Sequence, residues 1–492
     1  MKFQVYKNGE LCRSFELFGA HLFGADNIPL RSGVQISIAD GVIDAKKKGP
    51  DAAGLALLWP VEGFGKIFLS TTRLPERPAV YNLNLEIARA KLMQITIKRE
   101  DWSLLEGSTE HSKRLEEARG AFIEALENID DPAKAASLAD ASLQKAVLFS
   151  ESLTTAYADL LFNARRKTRG FVRHTLGMTI NPAYIAKPEY QEMLAEAVNF
   201  ATVPMNWRMI EPEKDKYDFA AVDACVEALV KKRFIIAAGP LLRFQKEFLP
   251  DWVLNEKGGF EKIRELGYGF VTKMVTRYSK YIQFWKVISG LNALNHFGFN
   301  FEQILEMTRA ATLAAKAANV KSLKMIEISL PWGEYYAFKP DTIPPLVYVD
   351  MVNQSGINFD AFGVEMVMGK NEPGMHVRDL MHISAMLDRF VPLTKPLHIS
   401  AVAVPQLCGQ GEYDCQRAGL WRRKWDGELQ AQWIDCFCRI AMSKPFVESV
   451  TYANFADDGY DCLNASGLLT KDIQPKPAYK QILNIAKLIS GK

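Results

Sequence analysis

Several features that commonly reveal a protein's role are missing from this chain of 492 residues. No apolar run reaches the ~18 residues that a membrane-spanning helix requires, which excludes a membrane protein of that kind. Lys and Arg number 60 against 57 Asp and Glu, a net charge of +3. That balance, without long runs of one sign, excludes binding to nucleic acid or to a membrane surface by charge alone. Glycine-rich phosphate-binding turns and HExxH or EF-hand spacings are also missing, so no metal or organic cofactor is expected.

Cysteine is scarce, with 7 residues at irregular spacing. Cys408 and Cys415 stand apart from a second pair, Cys436 and Cys438, and neither spacing matches a zinc or redox CxxC pattern. The N-terminal segment lacks the apolar core of a secretory signal. We therefore predict reduced, structural cysteines in a cytoplasmic protein. A disulfide or a metal site in the Cys408–Cys438 region is the alternative.

The first 105 residues are predicted to form a β-rich, sandwich-like domain. Short runs with alternating apolar and polar residues, from FQVYKNG to LMQITIKRE, are separated by Gly, Pro, Asn and Asp. Such domains often bind sugars through exposed aromatic rings. Trp59 and Phe64 are the candidates here, with burial in the core as the alternative interpretation.

Residues 106–168 change to a helical pattern, with Ala and Leu at spacings of three and four. Asp131 followed by Pro132 is typical of a helix start. We interpret this range as a helical connector that docks the first domain on the third. The basic run ARRKTRGFVRH at its end, residues 164–174, is interpreted as a solvated linker surface.

Residues 169–492 are predicted to form a closed (β/α)8 barrel, also called a TIM barrel. Apolar strand-like runs alternate with amphipathic helical stretches over this range, as expected for parallel βα units. The predicted strands are GMTIN, FATVPMNW, FIIAAGPLL, IQFWKVIS, LKMIEISL, FDAFGVEMVM, LHISAVAVP and VESVTYANF. In such a barrel the chemistry belongs at the carboxyl ends of the strands.

Phrases along this third domain resemble, in order, those of glycoside hydrolase family 10, the xylanase family of retaining barrel enzymes. The resemblance covers about residues 170–490. Its phrases are NWRMIEPEKDKYDFAAVD, AAGPLLRFQKEFLPDWV, FWKVISGLNAL, FDAFGVEMVMG, LDRFVPLTKPLHISAVAVP, KPFVESVTYANFADD and PKPAYKQIL. The resemblance implies a barrel that acts on the glycosidic bonds of a poly- or oligosaccharide.

The departures from the family's phrases fall at the chemical positions. The acid/base glutamate of the family corresponds to Gly290, and the nucleophile glutamate corresponds to Ala401. A retaining glycosidase needs two carboxyls roughly 5–5.5 Å apart, one to protonate the leaving oxygen and one to attack the sugar. Glycine and alanine can do neither, so ordinary xylanase activity through the family's own residues is not expected.

One hypothesis is an enzyme with relocated acids. Glu365 ends the sixth predicted strand, and Glu334 follows the fifth between Trp332 and Tyr335. Two such carboxylates over one cleft would restore an acid and a base. Each also has a structural interpretation: a salt bridge in the barrel mouth for Glu365 and a loop contact for Glu334. Reserve acids and proton shuttles are Asp457, Asp458, His296 and His398, although a histidine on a strand is more often a core residue.

The alternatives are a catalytically inactive pseudo-enzyme that binds a glycan, and an assembly scaffold, which leaves a homo-oligomer open. For binding, the aromatic candidates are Trp207, Trp285, Trp332, Tyr335, Tyr336, Trp421 and Trp425. The last two lie in GLWRRKWDGE, which is interpreted as an exposed loop. The predicted substrate-binding residues are Asn206, Arg243, Asn292, His296, Trp332, Tyr335, His398, Asn454 and Asp457.

Overall fold

The computed structural model describes residues 1–102, 109–457, 463 and 465–490. Its N-terminal part forms a four-stranded sheet in the order β5-β6-β1-β9, a three-stranded sheet in the order β4-β7-β8, and the hairpin β2-β3. The bounds are β1 Lys2–Gln4, β2 Tyr6–Lys7, β3 Glu10–Leu11, β4 His21–Phe23, β5 Gln35–Ala39, β6 Val42–Lys46, β7 Gly54–Val61, β8 Gly65–Ser70 and β9 Tyr81–Asn82. Trp59 and Phe64 are buried. They therefore belong to the core and do not offer rings to a sugar.

The strands of this part end at Asn82, and three long helices follow: α1 Leu83–Asp101, α2 Thr109–Glu127 and α3 Pro132–Thr168. The predicted strand LMQITIKRE is wrong, because it lies within α1. Leu85, Ala88, Leu92 and Ile95 are buried at helical spacing, whereas Ile97 is 47% exposed. The alternating isoleucines thus imitate a strand pattern inside an amphipathic helix. Helix α3 begins as predicted, since the Asp131 carboxylate accepts a hydrogen bond from the Lys134 N–H.

In the described part of the chain, eight parallel strands close into the predicted barrel. They are β10 Leu176–Thr179, β11 Phe200–Val203, β12 Ile235–Ala238, β14 Phe284–Ser289, β15 Leu323–Ser329, β16 Ala361–Val367, β17 Leu397–Ala403 and β18 Val447–Tyr452. A short strand, β13 Leu242–Arg243, pairs in parallel with the carboxyl-terminal part of β14. Each strand falls within or next to its predicted run. Their almost continuous burial is typical of parallel strands covered on both faces.

The barrel helices follow the strands in alternation, which is the order expected of βα units. Their bounds are α4 Pro188–Ala197, α5 Trp207–Ile210, α6 Ala220–Lys231, α7 Asp251–Leu254, α8 Gly259–Tyr278, α9 Phe301–Ala318, α10 Pro345–Gln354, α11 Leu380–Asp388, α12 Cys415–Ala418, α13 Gly427–Ser443 and α14 Pro477–Ser490. Among the described residues, no helix combines the length and the apolar character required to cross a membrane.

Polar contacts dock the connector on the barrel. Arg165 of the basic run is buried, and its guanidinium donates to the carbonyls of Met442, Lys444 and Val447 at 2.9 to 3.0 Å. Arg165 therefore departs from the predicted solvated surface, whereas Arg166, Lys167, Arg169 and Arg173 of the same run are exposed as predicted. Glu151 of α3 accepts hydrogen bonds from the Leu380 N–H at 2.7 Å and from the segment after β17.

The segment after β17 also differs from its prediction. Trp421 and Trp425 are buried, and the Trp421 indole N–H donates to Glu151 at 3.0 Å. The two tryptophans of GLWRRKWDGE therefore pack inward, against the prediction, whereas Arg422, Arg423 and Lys424 between them are exposed as predicted. Cys408 and Cys415 form a disulfide, which bears out the alternative and not the prediction of reduced thiols for this pair.

The N-terminal sheet reaches the carboxyl-end loops of the barrel. The Phe68 N–H of β8 donates to the Val377 carbonyl at 2.7 Å, and the Lys66 N–H donates to the Leu420 carbonyl at 3.0 Å. These main-chain bonds attach the sheet to the segments that follow β16 and β17. The first domain therefore adjoins the end of the barrel at which chemistry is expected.

Candidate functional site

The register of the barrel strands brings several polar residues of the predicted site together. Arg243 is the register partner of Ser289, and Ser289 is the partner of Glu327. Nearer the carboxyl ends of the strands, Glu365 pairs in register with Ser329 on one neighbouring strand and with Ala401 on the other. Glu365, predicted to end the sixth strand, thus lies next to Ala401 in the sheet.

Glu365 is held by three donors. Two guanidinium nitrogens of Arg243 donate to its two carboxylate oxygens at 3.2 and 3.3 Å, and the Ser329 hydroxyl donates to Oε2 at 2.5 Å. The salt-bridge interpretation of Glu365 therefore matches the structure. Both side chains keep some solvent access, 16% for Arg243 and 13% for Glu365. Because every neighbour donates to it, this carboxylate suits a ligand contact or a nucleophile better than a proton donor.

A second carboxylate, that of Glu327, is buried and was not among the predicted catalytic or substrate-binding residues. Lys286 Nζ lies 3.3 Å from its Oε1, and the Ser289 hydroxyl donates to its Oε2 at 2.5 Å. Burial alone raises the pKa of Glu327, but Lys286 and the hydroxyl outweigh it and lower the pKa below the ordinary value. The lysine among the apolar residues of strand four was the sequence signal that a buried acid stands nearby.

Glu334 lies in a separate cluster. Its Oε1 pairs with the buried guanidinium of Arg378, and its Oε2 accepts the Gly374 N–H at 2.6 Å. Within the described residues, it shares no hydrogen-bond or ion-pair partner with Glu365. The two predicted catalytic carboxylates are therefore each neutralised by their own arginine.

Gly290 lies in a conformation that favours glycine. Its φ is +64°, and an added Cβ would meet the Ser329 hydroxyl at 2.7 Å and Leu294 at 2.8 Å. Ala401, by contrast, is half-buried on β17. A long side chain at position 290 would need the backbone and its neighbours to move.

His398 belongs to the opposite end of the barrel. It is the second residue of β17, and its Nδ1 lies 2.7 Å from the Ser449 hydroxyl. Burial lowers its pKa to about 3. The core interpretation matches this position. A role at the carboxyl end is wrong, because this residue begins its strand.

Three other predicted residues have structural partners. Asn206 caps α5 by accepting from the Arg208 N–H, and Asn292 is buried and donates to the Tyr335 hydroxyl at 2.6 Å. The Tyr335 hydroxyl in turn donates to the Ile343 carbonyl. These side chains shape the loops after β11, β14 and β15.

The remaining predicted residues divide by exposure. His296 is exposed, and Trp332 is half-buried. Asn454 donates to the Ser466 hydroxyl at 2.7 Å, and Asp457 pairs with Lys476 at 2.5 Å. The reserve acid Asp458 lies outside the described residues. Among those that are described, no three His, Cys, Asp or Glu side chains come together as a metal-binding group.

A family model now decides the relationship, since residues 166–485 match "Glycosyl hydrolase family 10". The chain belongs to glycosyl hydrolase family 10. The matched range coincides closely with the barrel, and it leaves out the N-terminal sheets and most of the connector.

Individual members of family 10 are distant from this chain. Endo-1,4-beta-xylanase B of Thermotoga neapolitana is 20% identical over 306 residues, which are 59% of this chain and 81% of that protein. The structure of a xylanase 10C mutant of Cellvibrio japonicus in complex with xylopentaose has a TM-score of 0.51 at 16% identity, covering 66% of this chain and 69% of that one. Xylanase 10B of Thermotoga petrophila, in complex with xylobiose, has a TM-score of 0.49 at 17% identity, covering 65% and 94%. At 16% identity, the Cellvibrio japonicus structure shows a shared fold.

Most aromatic residues proposed to line the cleft of this family 10 barrel belong to its core. Buried rings cannot stack on a sugar, which removes Trp207, Trp285, Tyr335, Trp421 and Trp425. Trp332 and Tyr336 stay half-buried. The Arg243–Glu365 pair, with 16% and 13% of its side chains exposed, is an accessible polar group at the barrel mouth.

Proposed function

We propose that this family 10 barrel binds a poly- or oligosaccharide at its carboxyl end and does not hydrolyse it by the retaining mechanism. The observation that carries this proposal is the geometry at Gly290, which lies against Ser329, whose hydroxyl donates to Glu365 of the Arg243–Glu365 pair. If position 290 is the acid/base position, as the sequence resemblance implies, the proton donor is missing and the backbone there is adapted to glycine.

The state of the remaining carboxylates supports the same proposal. A retaining site needs one acid that gives up a proton and another that attacks, roughly 5–5.5 Å apart. Glu365 is occupied by Arg243 and Ser329, and Glu334 is occupied by Arg378 and the Gly374 N–H. Buried Glu327 is paired with Lys286. Each of the three carboxylates accepts from protein donors, an environment that favours the ionised form. A general acid needs the protonated form instead.

The Arg243–Glu365 pair suits the recognition of sugar hydroxyls. A guanidinium supplies donors and a carboxylate supplies acceptors, so together they can satisfy a hydroxyl in both of its roles. Their partial exposure leaves room for such a contact, and the Gln245 side chain fixes the Arg243 Nε at 2.5 Å.

A second candidate is hydrolysis with Glu365 as a non-standard carboxylate. The register of the strands favours this candidate, because Glu365 pairs with Ala401 on the next strand. Ala401 is the position that the resemblance assigns to the nucleophile, so Glu365 brings an ionisable group next to it. This candidate requires a proton donor other than Glu334 as the structure holds it.

The two candidates are separated by measuring release and binding on the same samples. Purified protein is incubated with a panel of polysaccharides, reducing ends are quantified, and binding of xylopentaose and of oligosaccharides from the panel is followed by calorimetry. The variants are Glu365→Gln and, as the matched control, Glu213→Gln in an exposed salt bridge. We expect binding without release, about tenfold weaker in Glu365→Gln, since loss of a charged contact costs about 1.4 kcal/mol or more.

Two results would overturn the binding proposal. Release of reducing ends that disappears in Glu365→Gln and persists in Glu213→Gln would establish the second candidate. If no glycan of the panel is either hydrolysed or bound, the binding and hydrolysis candidates are both refuted, and an assembly role is left.

A further inference from the structure

A cavity of about 470 Å³ lies where the N-terminal domain meets the barrel. Its walls come from the Asp26–Pro29 segment, the Pro331–Gly333 loop after β15, the start of α10 and Arg389. We call it the junction pocket. Its volume falls within the ~300–1,000 Å³ range of small-molecule sites, and it shares no lining residue with the Arg243–Glu365 centre.

The apolar wall of the junction pocket contains one aromatic ring. Trp332 is half-buried, and the Arg378 guanidinium lies 4.0 Å from its ring centroid. This cation–π contact orients the indole. Pro331 and Pro345 beside it add rigid apolar surface. An aromatic ring flanked by prolines is a platform for the C–H face of a sugar ring.

The polar wall supplies acceptors for hydroxyl groups. Asp26, Asn27 and Asp350 line the cavity and are exposed. In the described part of the chain, the Asp26 and Asp350 carboxylates form no ion pair within 4 Å and accept no hydrogen bond. Arg389, which also lines the cavity, interacts electrostatically with Asp26, but the two carboxylates leave the lining with a net negative charge. Carboxylates without protein donors can accept from sugar hydroxyls, and the net negative charge disfavours an anionic ligand.

The junction between the domains completes the pocket. Arg389, which follows α11, donates to the main-chain carbonyl of Asp26 at 3.0 Å. That bond holds the Asp26–Pro29 segment against the barrel, so the lining from the first domain is fixed in place. Neither the barrel nor the N-terminal domain forms the cavity alone.

We propose that the junction pocket is a second glycan site, which takes a neutral pentose or hexose unit stacked on Trp332 with its hydroxyls bound by Asp26 and Asp350. This inference rests on the proposed function, in that it assumes a carbohydrate ligand. It adds a separate place on the molecule, to which the first domain contributes.

The test is calorimetry of the full chain with three neutral pentasaccharides, of xylose, glucose and mannose, and with trigalacturonic acid. The pocket variants are Trp332→Ala and Asp350→Asn. Tyr281→Ala, at a ring that is 44% exposed elsewhere on the surface, is the control. Glu365→Gln reports on the barrel cleft.

We expect two binding events for one neutral pentasaccharide. Trp332→Ala should abolish one of them, and Asp350→Asn should weaken the same event about tenfold, as expected for the loss of a charged acceptor. Glu365→Gln should affect only the other event. Should Trp332→Ala unfold, as judged by circular dichroism, Asp350→Asn decides.

The proposal is overturned if both pocket variants bind all ligands as the wild type does, or if trigalacturonic acid occupies the pocket in preference to the neutral sugars. Binding that is lost only in Glu365→Gln would leave the proposed function in place without the second site. Binding that is lost only in the pocket variants would leave the second site and refute the role of the cleft. If none of the ligands binds, the proposed function and the second site are both refuted.

Discussion

Glu334→Gln distinguishes a structural ion pair from a catalytic acid. The Arg378 guanidinium is 1% exposed and its counter-ion is Glu334. The other contacts of Arg378 are the His376 carbonyl at 2.7 Å and the rings of Trp332 and Phe68. Neutralising Glu334 therefore removes the direct counter-ion of a buried positive charge, which keeps the His376 carbonyl, the two ring faces and the electrostatic attraction of Asp379.

The expected cost follows from that environment. Removing one partner of a buried pair destabilises a protein by ~3–5 kcal/mol, because the remaining charge stays desolvated. Glutamine keeps one oxygen, which can accept from the Gly374 N–H or from Arg378 but replaces only one of the two carboxylate oxygens. We therefore expect the lower end of the range, about 3 kcal/mol.

The assay is urea unfolding followed by tryptophan fluorescence and circular dichroism, compared where the two transitions coincide. Glu213→Gln, in an exposed pair, is the control and should change stability by less than ~1 kcal/mol. The double variant with Arg378→Met should recover part of the loss, since it removes the buried charge as well. A change of less than ~1 kcal/mol in Glu334→Gln would refute the reasoning, and a simultaneous loss of glycan hydrolysis would return Glu334 to the active site.

Burial raises the pKa of Glu151 to about 7 from 4.5, so the folded state keeps a proton that the unfolded state releases between these values, and stability is lost as the pH rises through them. Relative to wild type, Glu151→Gln should gain roughly 3 kcal/mol between about pH 4 and pH 8, and parallel unfolding profiles would contradict this. Gly290→Ala should cost roughly 1–3 kcal/mol in urea unfolding because φ is +64° and a Cβ meets neighbours at 2.7 Å, whereas Gly120→Ala, with open space around it, should not destabilise. In denaturant without reductant, Cys408 and Cys415 should not react with maleimide, and addition of reductant should make both thiols reactive. Reaction of these thiols without reductant would exclude the disulfide. A disulfide is more typical of an oxidising compartment than of the predicted cytoplasm.

The barrel could be predicted because its signals are local. Each strand is a short apolar run bounded by polar or turn residues, and burial on both faces makes that run nearly continuous, as in FATV of β11. The start of α3 could be predicted for the same reason, since Asp131 and Pro132 act within one helical turn.

The error at α1 shows where local pattern fails. Ile95 and Ile97 alternate like strand residues, yet the first is buried and the second is exposed on a helix. A short run of β-branched residues fits both periods. The packing of α1 against α3, which no local pattern specifies, decides in favour of the helix.

The same distinction between local pattern and tertiary packing applies to the candidate site. The sequence by itself determined the eight strands, their order and the arrival of Glu365 at a carboxyl end beside Ala401, because strand period and chain order are local properties. Only the tertiary structure decided that Arg243, 122 positions away, neutralises Glu365, and that Arg378 rather than a substrate occupies Glu334. It also decided that a segment of the first domain closes a pocket against Trp332. Charge pairing depends on distances across a closed barrel, and those distances exist only when all eight strands have met.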